Sequence, residues 1–163
     1  MPNWCMNDVY ISGPKEKITD LYYAAMDRGG LLETMVPIGE WDYNLAVENW
    51  GVKWDVDPEN LELEVEGDIA YISGTVDSAF VPPIKAFESF LEKNPECVAE
   101  LKYHEPGMEF IGVFADGNDS CYEYSSEELD SLDDIPDDLL EHFNLEEDLR
   151  LNLEIESDWE EED

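Results

Sequence analysis

A run of strict alternation between apolar and acidic side chains constrains this fold more than any other feature of the chain. Residues 61–66 read LELEVE, and Gly67-Asp68 separates them from a second stretch of apolar and β-branched residues at 69–76. A period of two puts alternate side chains on opposite faces of a strand, and a Gly-Asp pair between two such runs is a turn signal. The sequence therefore predicts a β-hairpin with one apolar face and one face that carries Glu62, Glu64 and Glu66.

The elements around this hairpin follow a definite order. Residues 4–13 alternate as a strand, and Pro14 begins a helix that ends at Gly29-Gly30. Further along we predict a loop at 31–39, a short helix at 40–50 with Trp41, Leu45 and Val47 turned inward, a helix from Pro82-Pro83 to Asn94, and strands at 97–103, 108–115 and 121–124. We therefore predict an α+β fold, namely a ferredoxin-like split β-α-β antiparallel sheet with two covering helices, extended by extra strands and an acidic C-terminal helical and strand segment.

The last 39 residues differ in composition from the rest, because residues 125–163 hold 18 acids and one base, Arg150. Pro136 can begin a helix, and the alternation of Leu149, Leu151 and Leu153 with polar residues predicts a strand at 149–155. We expect residues 158–163 to form a frayed charge run. The predicted organisation is a ferredoxin-like domain at 1–124 and an acidic extension at 125–163 that packs on it.

The charge of the chain restricts its partners. There are 43 Asp and Glu against 8 Lys and Arg, a formal net charge of -35, although 43% of the residues are hydrophobic and can build a core. The resulting negative field repels DNA, RNA and anionic membranes, whose phosphates have the same sign. It attracts the basic clefts of other proteins, so the expected partner is a basic, DNA-binding protein and not nucleic acid itself.

Motifs for catalysis or cofactor binding are absent from the sequence. The three cysteines form no CxxC pair, His104 and His142 have no metal-ligand spacing, and no phosphate-binding glycine motif occurs. The N-terminus lacks a signal-peptide pattern and no run of 18 apolar residues exists. We therefore expect a cytoplasmic protein that is not an enzyme, with no metal and no cofactor.

The two tryptophans at positions 50 and 54 lie four residues apart and admit two interpretations. They could form a stacking platform for nucleic-acid bases. The strong negative charge would repel the attached phosphates, so packing at the core or at a helix end is the favoured interpretation, with Lys53 pairing locally.

Three stretches together resemble a known family: the opening Pro2-Asn3-Trp4-Cys5 with Asn7 and Gly13, the run 48–55 (ENWGVKWD), and Pro82-Pro83 before an aromatic helix. They are similar to the ferredoxin-like domain of phage- and plasmid-encoded YubB-type proteins, over roughly the first 115 residues. The resemblance implies the fold and a mobile-element origin. That family carries no settled activity, so no catalytic residue is implied.

The acidic faces are the candidate functional site. On a strand, successive residues of one face lie about 6.6 to 6.8 Å apart. An ordered row of carboxylates can therefore bind the Lys and Arg side chains of a DNA-binding cleft in place of phosphates. The candidate contact residues are Glu62, Glu64, Glu66, Asp130, Asp133, Asp134, Asp137, Asp138, Glu141, Glu154 and Glu156. The leading hypothesis is a phage DNA mimic that inhibits a host defence or DNA-binding enzyme. The alternatives are a protein interaction module that binds through Trp and Tyr surfaces, and acidity that serves only solubility or growth at high salt.

Overall fold

The computed structural model describes the backbone of residues 3–161 and the side chains of residues 3–154. Within this range the chain is α+β, with one six-stranded antiparallel sheet in the order β2-β3-β1-β4-β5-β6. The strands are β1 (Trp4–Pro14), β2 (Leu61–Glu66), β3 (Ile69–Ala79), β4 (Val98–Glu105), β5 (Phe110–Ala115) and β6 (Asn118–Glu123). The helices are α1 (Lys15–Arg28), α2 (Leu31–Met35), α3 (Tyr43–Trp50), α4 (Ile84–Lys93), a 3-10 helix (Leu129–Leu132), α5 (Asp137–Phe143) and α6 (Leu145–Glu161).

One face of the sheet, here called the inner face, packs against the N-terminal helices. Val9 and Ile11 of β1 and Ile72 of β3 are buried there together with Ile18 of α1 and Phe87 of α4. These residues occupy alternate positions of the strands and helical positions of α1 and α4, as the sequence periodicity predicts. The alternation that buries them sends the intervening side chains to the opposite, outer face.

The C-terminal extension covers part of the outer face. A second apolar cluster joins Ile111 of β5 to Leu132, Leu139, Leu145 and Leu149 of the extension. The extension therefore lies over the β4–β5 side of the sheet and reaches β1 at Asp8, which leaves the outer face of β2 and β3 open.

Two predictions for the segment between α1 and β2 are wrong. Residues 31–35 form a helix inside the predicted loop, because the Asp55 carboxylate accepts hydrogen bonds from the backbone N–H groups of Leu32 (2.6 Å) and Glu33 (3.0 Å). Helix α3 is confirmed, but Trp41 and Leu45 are exposed and Val47 is half-buried.

The face of α3 that packs inward carries Ala46 and Trp50. The Trp50 indole N–H donates to the Val36 carbonyl at 2.8 Å, which secures this orientation. Burying Trp50 removes a larger apolar area from water than burying the smaller Leu45, so the helix turns this way.

The predicted strand at 149–155 is also wrong, since these residues lie in helix α6. Leu145 and Leu149 are one helical turn apart and both are buried in the second cluster, whereas Leu151 is 52% exposed. The spacing of Leu149, Leu151 and Leu153 suits a strand, and that of Leu145 and Leu149 suits a helix, so the local sequence allows both. Burial of Leu145 and Leu149 in the apolar cluster favours the helix. The backbone of 158–161 continues α6 where a frayed run was predicted, and residues 162 and 163 lie outside the described range.

Candidate functional site

The three glutamates of β2 form an ordered row on the outer face. Glu62, Glu64 and Glu66 are exposed and lie opposite Ser73, Tyr71 and Ile69 of β3. Strand β2 is at the edge of the sheet, and the burial of Leu61 in the core holds the alternation in this phase. The structure therefore places these carboxylates side by side on an open surface, and we call this row the glutamate ladder.

Tyrosines lie directly beside the glutamate ladder. The rings of Tyr10 and Tyr71 have centroids 6.1 Å apart with an interplanar angle of 31°. Interaction with the Glu64 carboxylate, mainly by hydrogen bonding to the hydroxyl, raises the pKa of Tyr71 to about 12. We call the surface formed by the rings of Tyr10 and Tyr71 the aromatic floor, and the ladder borders it. The Tyr71 hydroxyl stays protonated at neutral pH.

The strand register continues acidic side chains across this floor. Glu62 is paired with Ser73, Ser73 with Tyr10, and Tyr10 with Glu100 of β4. Since neighbouring strands lie about 4.8 Å apart, the backbone positions of the two glutamates are separated by about 14 Å. Carboxylates therefore stand on both sides of the tyrosines.

The floor also contains one surface depression of about 260 Å³, lined by Asp8, Val9, Tyr10, Ser73, Glu100 and Lys102. Lys102 is paired with Asp8 in the register, so a base lies among these acids. The acidic surface is consequently interrupted by one cation at this point.

The acids of the extension form a group of their own. Every predicted contact residue of the extension with a described side chain is exposed, namely Asp130, Asp133, Asp134, Asp137, Asp138, Glu141 and Glu154. Helix α5 reaches the same outer face as the ladder, since His142 Nε2 lies 2.7 Å from Asp8 Oδ2. Asp137 and Glu141 line a separate depression of about 410 Å³ between α5 and α6, which also contains Arg150.

The predicted strand would have placed Glu154 and Glu156 on one face with the spacing of the glutamate ladder, and this arrangement is wrong. Both positions are in helix α6, where residues two apart do not face each other. The side chain of Glu156 lies outside the described side chains.

An exposed aromatic cluster was missed by the sequence reasoning. The indoles of Trp4 and Trp54 have centroids 6.4 Å apart, and the Lys53 ammonium lies 4.3 Å from the Trp54 ring centroid and 4.9 Å from that of Phe80. Trp50 is buried, as packing predicts, but Trp54 is 40% exposed. The sequence feature that could have indicated this cluster is the set of three stretches that carry the family resemblance. Trp4, Lys53 and Trp54 belong to two of these stretches, and Phe80 precedes the third.

The two histidines join the extension to the sheet. His104 of β4 is buried; one of its ring nitrogens lies 2.6 Å from the Tyr124 hydroxyl, and its ring centroid lies 5.5 Å from that of Phe143 in α5. Burial lowers the pKa of His104, so the ring is held neutral. His142 faces Asp8 at the other contact. In the part of the chain that the structure describes, no three His, Cys, Asp or Glu side chains are grouped as a metal ion would require.

Comparisons with known proteins leave the family open. No family model matches the chain, and no curated protein matches it. The crystal structure of the protein api92 from Yersinia pseudotuberculosis, described with the family model DUF1281, is similar at 17% identity and a TM-score of 0.35. That match covers 62% of this chain and 36% of the other. Over the described residues, no helix combines the length and apolarity needed to cross a membrane.

Proposed function

We propose that this chain is a phage or mobile-element protein that imitates the charge of DNA and inhibits a basic, DNA-binding host protein, such as a restriction, recombination or defence nuclease. The observation that carries the proposal is the exposed glutamate ladder on the open half of the outer face. Its place of action is the cytoplasm of the infected bacterium. The inhibitor acts by occupying the DNA site, and no turnover is required.

The physical basis is the fixed spacing of the carboxylates. Residues of one strand face recur about every 6.6 to 6.8 Å, and the partner residues in β3 fix the register of the ladder. A DNA-binding cleft presents Lys and Arg side chains at intervals set by the phosphates, and ordered carboxylates form strong charge-assisted hydrogen bonds with them. The net charge of -35 accelerates association with such a cleft, and added salt weakens it.

We also propose a ferredoxin-like core for the fold. The order β2-β3-β1-β4, with α1 between β1 and β2 and α4 between β3 and β4, supports this assignment. The mobile-element origin rests on the resemblance of the motif stretches to YubB-type proteins. Both statements agree with the proposed role but are independent of the charge argument.

The test compares two variants that have the same net charge. One variant replaces Glu62, Glu64 and Glu66 with Lys, and the control replaces Glu16, Asp20 and Asp27 with Lys on exposed positions of α1. Each immobilised protein is incubated with bacterial lysate at low salt, and bound proteins are eluted with duplex DNA and identified.

The wild-type protein and the α1 control should retain DNA-binding proteins that duplex DNA releases, and the ladder variant should lose them. Equal loss in both variants would show that only total charge matters. Retained proteins that duplex DNA does not displace would contradict mimicry itself.

A second candidate function is a protein interaction module whose acids serve solubility alone. The exposed Trp4, Trp54 and Phe80 side chains favour it, because solvent-exposed aromatic clusters mark interaction sites. Under this alternative the ladder variant keeps its partner, and substitution of the aromatic residues removes it.

A further inference from the structure

Three segments that are distant in sequence meet at one end of the sheet. Trp4 begins β1, Lys53 and Trp54 follow α3, and Phe80 follows β3, where Ala79 pairs with Trp4. We call Trp4, Lys53, Trp54 and Phe80 the aromatic end. Trp4 and Phe80 are 47% and 39% exposed, so large apolar surfaces face solvent on a highly charged protein.

The backbone at the aromatic end is held in a conformation that is costly for an aromatic residue. Phe80 has a φ of 70°, in the left-handed region that bulky side chains rarely adopt. Its N–H donates to the Asn3 carbonyl at 2.8 Å, and the Ser78 hydroxyl donates to the Val81 carbonyl at 2.6 Å. Buried Asn7 in turn donates to the Ser78 hydroxyl at 2.9 Å. This network maintains the strained turn that places the Phe80 ring at the surface.

A cation already lies against these rings. The Lys53 ammonium is within 5 Å of two ring centroids, at 4.3 Å from Trp54 and 4.9 Å from Phe80. The backbone of Lys53 is positioned by the Trp41 indole, which donates to its carbonyl at 2.8 Å. The aromatic end therefore offers ring faces at the distance that favours cation–π contact.

Trp4 also forms one wall of a cleft of about 390 Å³, which adjoins the start of β2. Its lining residues are Trp4, Asp55, Asp57, Glu59, Asn60, Thr75, Val76 and Asp77, so that within the described range no basic side chain lines it. The Asp55 carboxylate is occupied by backbone N–H groups. Asp57, Glu59 and Asp77 are exposed acids beside an exposed indole.

We propose that this cleft receives an arginine side chain from a basic segment of the partner protein. The guanidinium group would stack on the Trp4 indole while carboxylates of Asp57 or Asp77 accept its paired N–H donors. A flat, delocalised guanidinium suits both contacts, whereas a lysine ammonium cannot stack or bind bidentately. A second copy of this chain is disfavoured as the occupant, because two molecules of net charge -35 repel each other.

This inference rests on the proposed function, because that function supplies the basic partner. It adds that one arginine of that partner is bound in the cleft. Glu59 and Asn60 lead directly into β2, so the cleft adjoins the glutamate ladder. A basic segment lying along the ladder can place one arginine in the cleft. Arg and Trp are also the residue types that most often dominate protein interfaces.

The test measures binding of hexa-arginine and hexa-lysine peptides by calorimetry at physiological salt. Wild-type protein should bind the arginine peptide about fivefold more tightly than the lysine peptide. Trp4→Ala and Asp77→Asn should each reduce this preference towards one, while Tyr23→Ala, which removes an exposed aromatic ring on α1, should leave it unchanged. Thermal unfolding of each variant checks that the fold is retained. If Trp4→Ala does not fold, Asp77→Asn alone tests the arginine preference.

The ladder variant separates this proposal from the previous one. Replacing Glu62, Glu64 and Glu66 with Lys should weaken binding of both peptides and keep the arginine preference. A wild-type protein without that preference, or one whose preference survives Trp4→Ala and Asp77→Asn, would overturn the cleft proposal. The lysate capture with DNA release decides the DNA-mimic proposal separately.

Discussion

The contact between Gly30 and Asp55 supports a prediction that can be worked out atom by atom. Gly30 precedes α2 with a φ of -157°, an extended conformation open to any residue. A Cβ at this position would overlap Asp55 Oδ2. That oxygen accepts the Glu33 N–H at 3.0 Å, while Oδ1 accepts those of Leu32 (2.6 Å) and Val56 (2.7 Å). Gly30→Ala should therefore destabilise the fold through Asp55 alone.

The expected magnitude follows from the hydrogen bonds. Moving the carboxylate away from the added methyl group breaks at least the bond to the Glu33 N–H, which costs about 1 to 3 kcal/mol for a charged acceptor in a partly buried place. Asp55→Ala removes all three bonds but also relieves the burial of the carboxylate, so it should cost about 2 to 4 kcal/mol in total, more than the ~1 kcal/mol of a single helix cap. In the Asp55→Ala background, Gly30→Ala should be neutral or stabilise by about 0.4 to 1 kcal/mol, since it only restricts the unfolded chain.

The assay is a double-mutant cycle by urea unfolding at neutral pH. The two single variants and the double variant should give a coupling free energy of about 1 to 4 kcal/mol, with unchanged m values. Gly117→Ala is not a suitable control, because the φ of Gly117 is 78° and the substitution is strained even though no atom lies within 4 Å of the added Cβ. The control is instead the same substitution in the Asp55→Ala background: the change in unfolding free energy caused by Gly30→Ala is compared with and without Asp55. Equal costs in the two backgrounds would refute the reasoning.

Three further predictions concern the extension and the charge. Leu139 is buried in the second cluster, so Leu139→Ala should lower the free energy of unfolding, measured with urea, by about 2 to 5 kcal/mol. A loss below about 1 kcal/mol would show that the extension is loosely packed. Burial lowers the pKa of His104, although Asp148 opposes the shift, and Tyr124 and Phe143 also face the ring. The unfolded chain then binds more protons than the folded one, so this contribution to stability is complete above the ordinary pKa of histidine and decreases as the pH falls below it. A His104→Gln variant should lack that decrease, and identical pH profiles of the urea midpoint would contradict the assignment. Added neutral salt should raise the melting temperature, because screening relieves the repulsion of a net charge of -35, and a flat or falling melting temperature would show that the repulsion is small.

The parts of the fold that were predictable depend on local periodicity. The β2–β3 hairpin, the Pro14 start of α1 and the helix after Pro82-Pro83 are all confirmed. In each, the side-chain period and the turn or cap residue lie within one short segment, so neighbouring residues are sufficient to specify the element. The exposed side of the hairpin, and with it the glutamate ladder, follows from the same alternation.

The features that failed depend on contacts between distant residues. Helix α2 is capped by Asp55, more than twenty residues away, and α6 is helical because Leu145 and Leu149 join the apolar cluster that also contains Ile111. No local pattern contains these partners, so local propensity could not decide between the alternatives.

The sequence by itself therefore determined which residues of the hairpin are apolar and which are acidic, and on which face each set lies, because a strand alternates with a period of two. Only the tertiary structure decided that Trp4 lies beside Trp54 and that Lys53 lies against Trp54 and Phe80 at one end of the sheet. The physical reason is that strand order and loop packing bring these segments together through long-range hydrogen bonds, such as that from the Phe80 N–H to the Asn3 carbonyl at 2.8 Å.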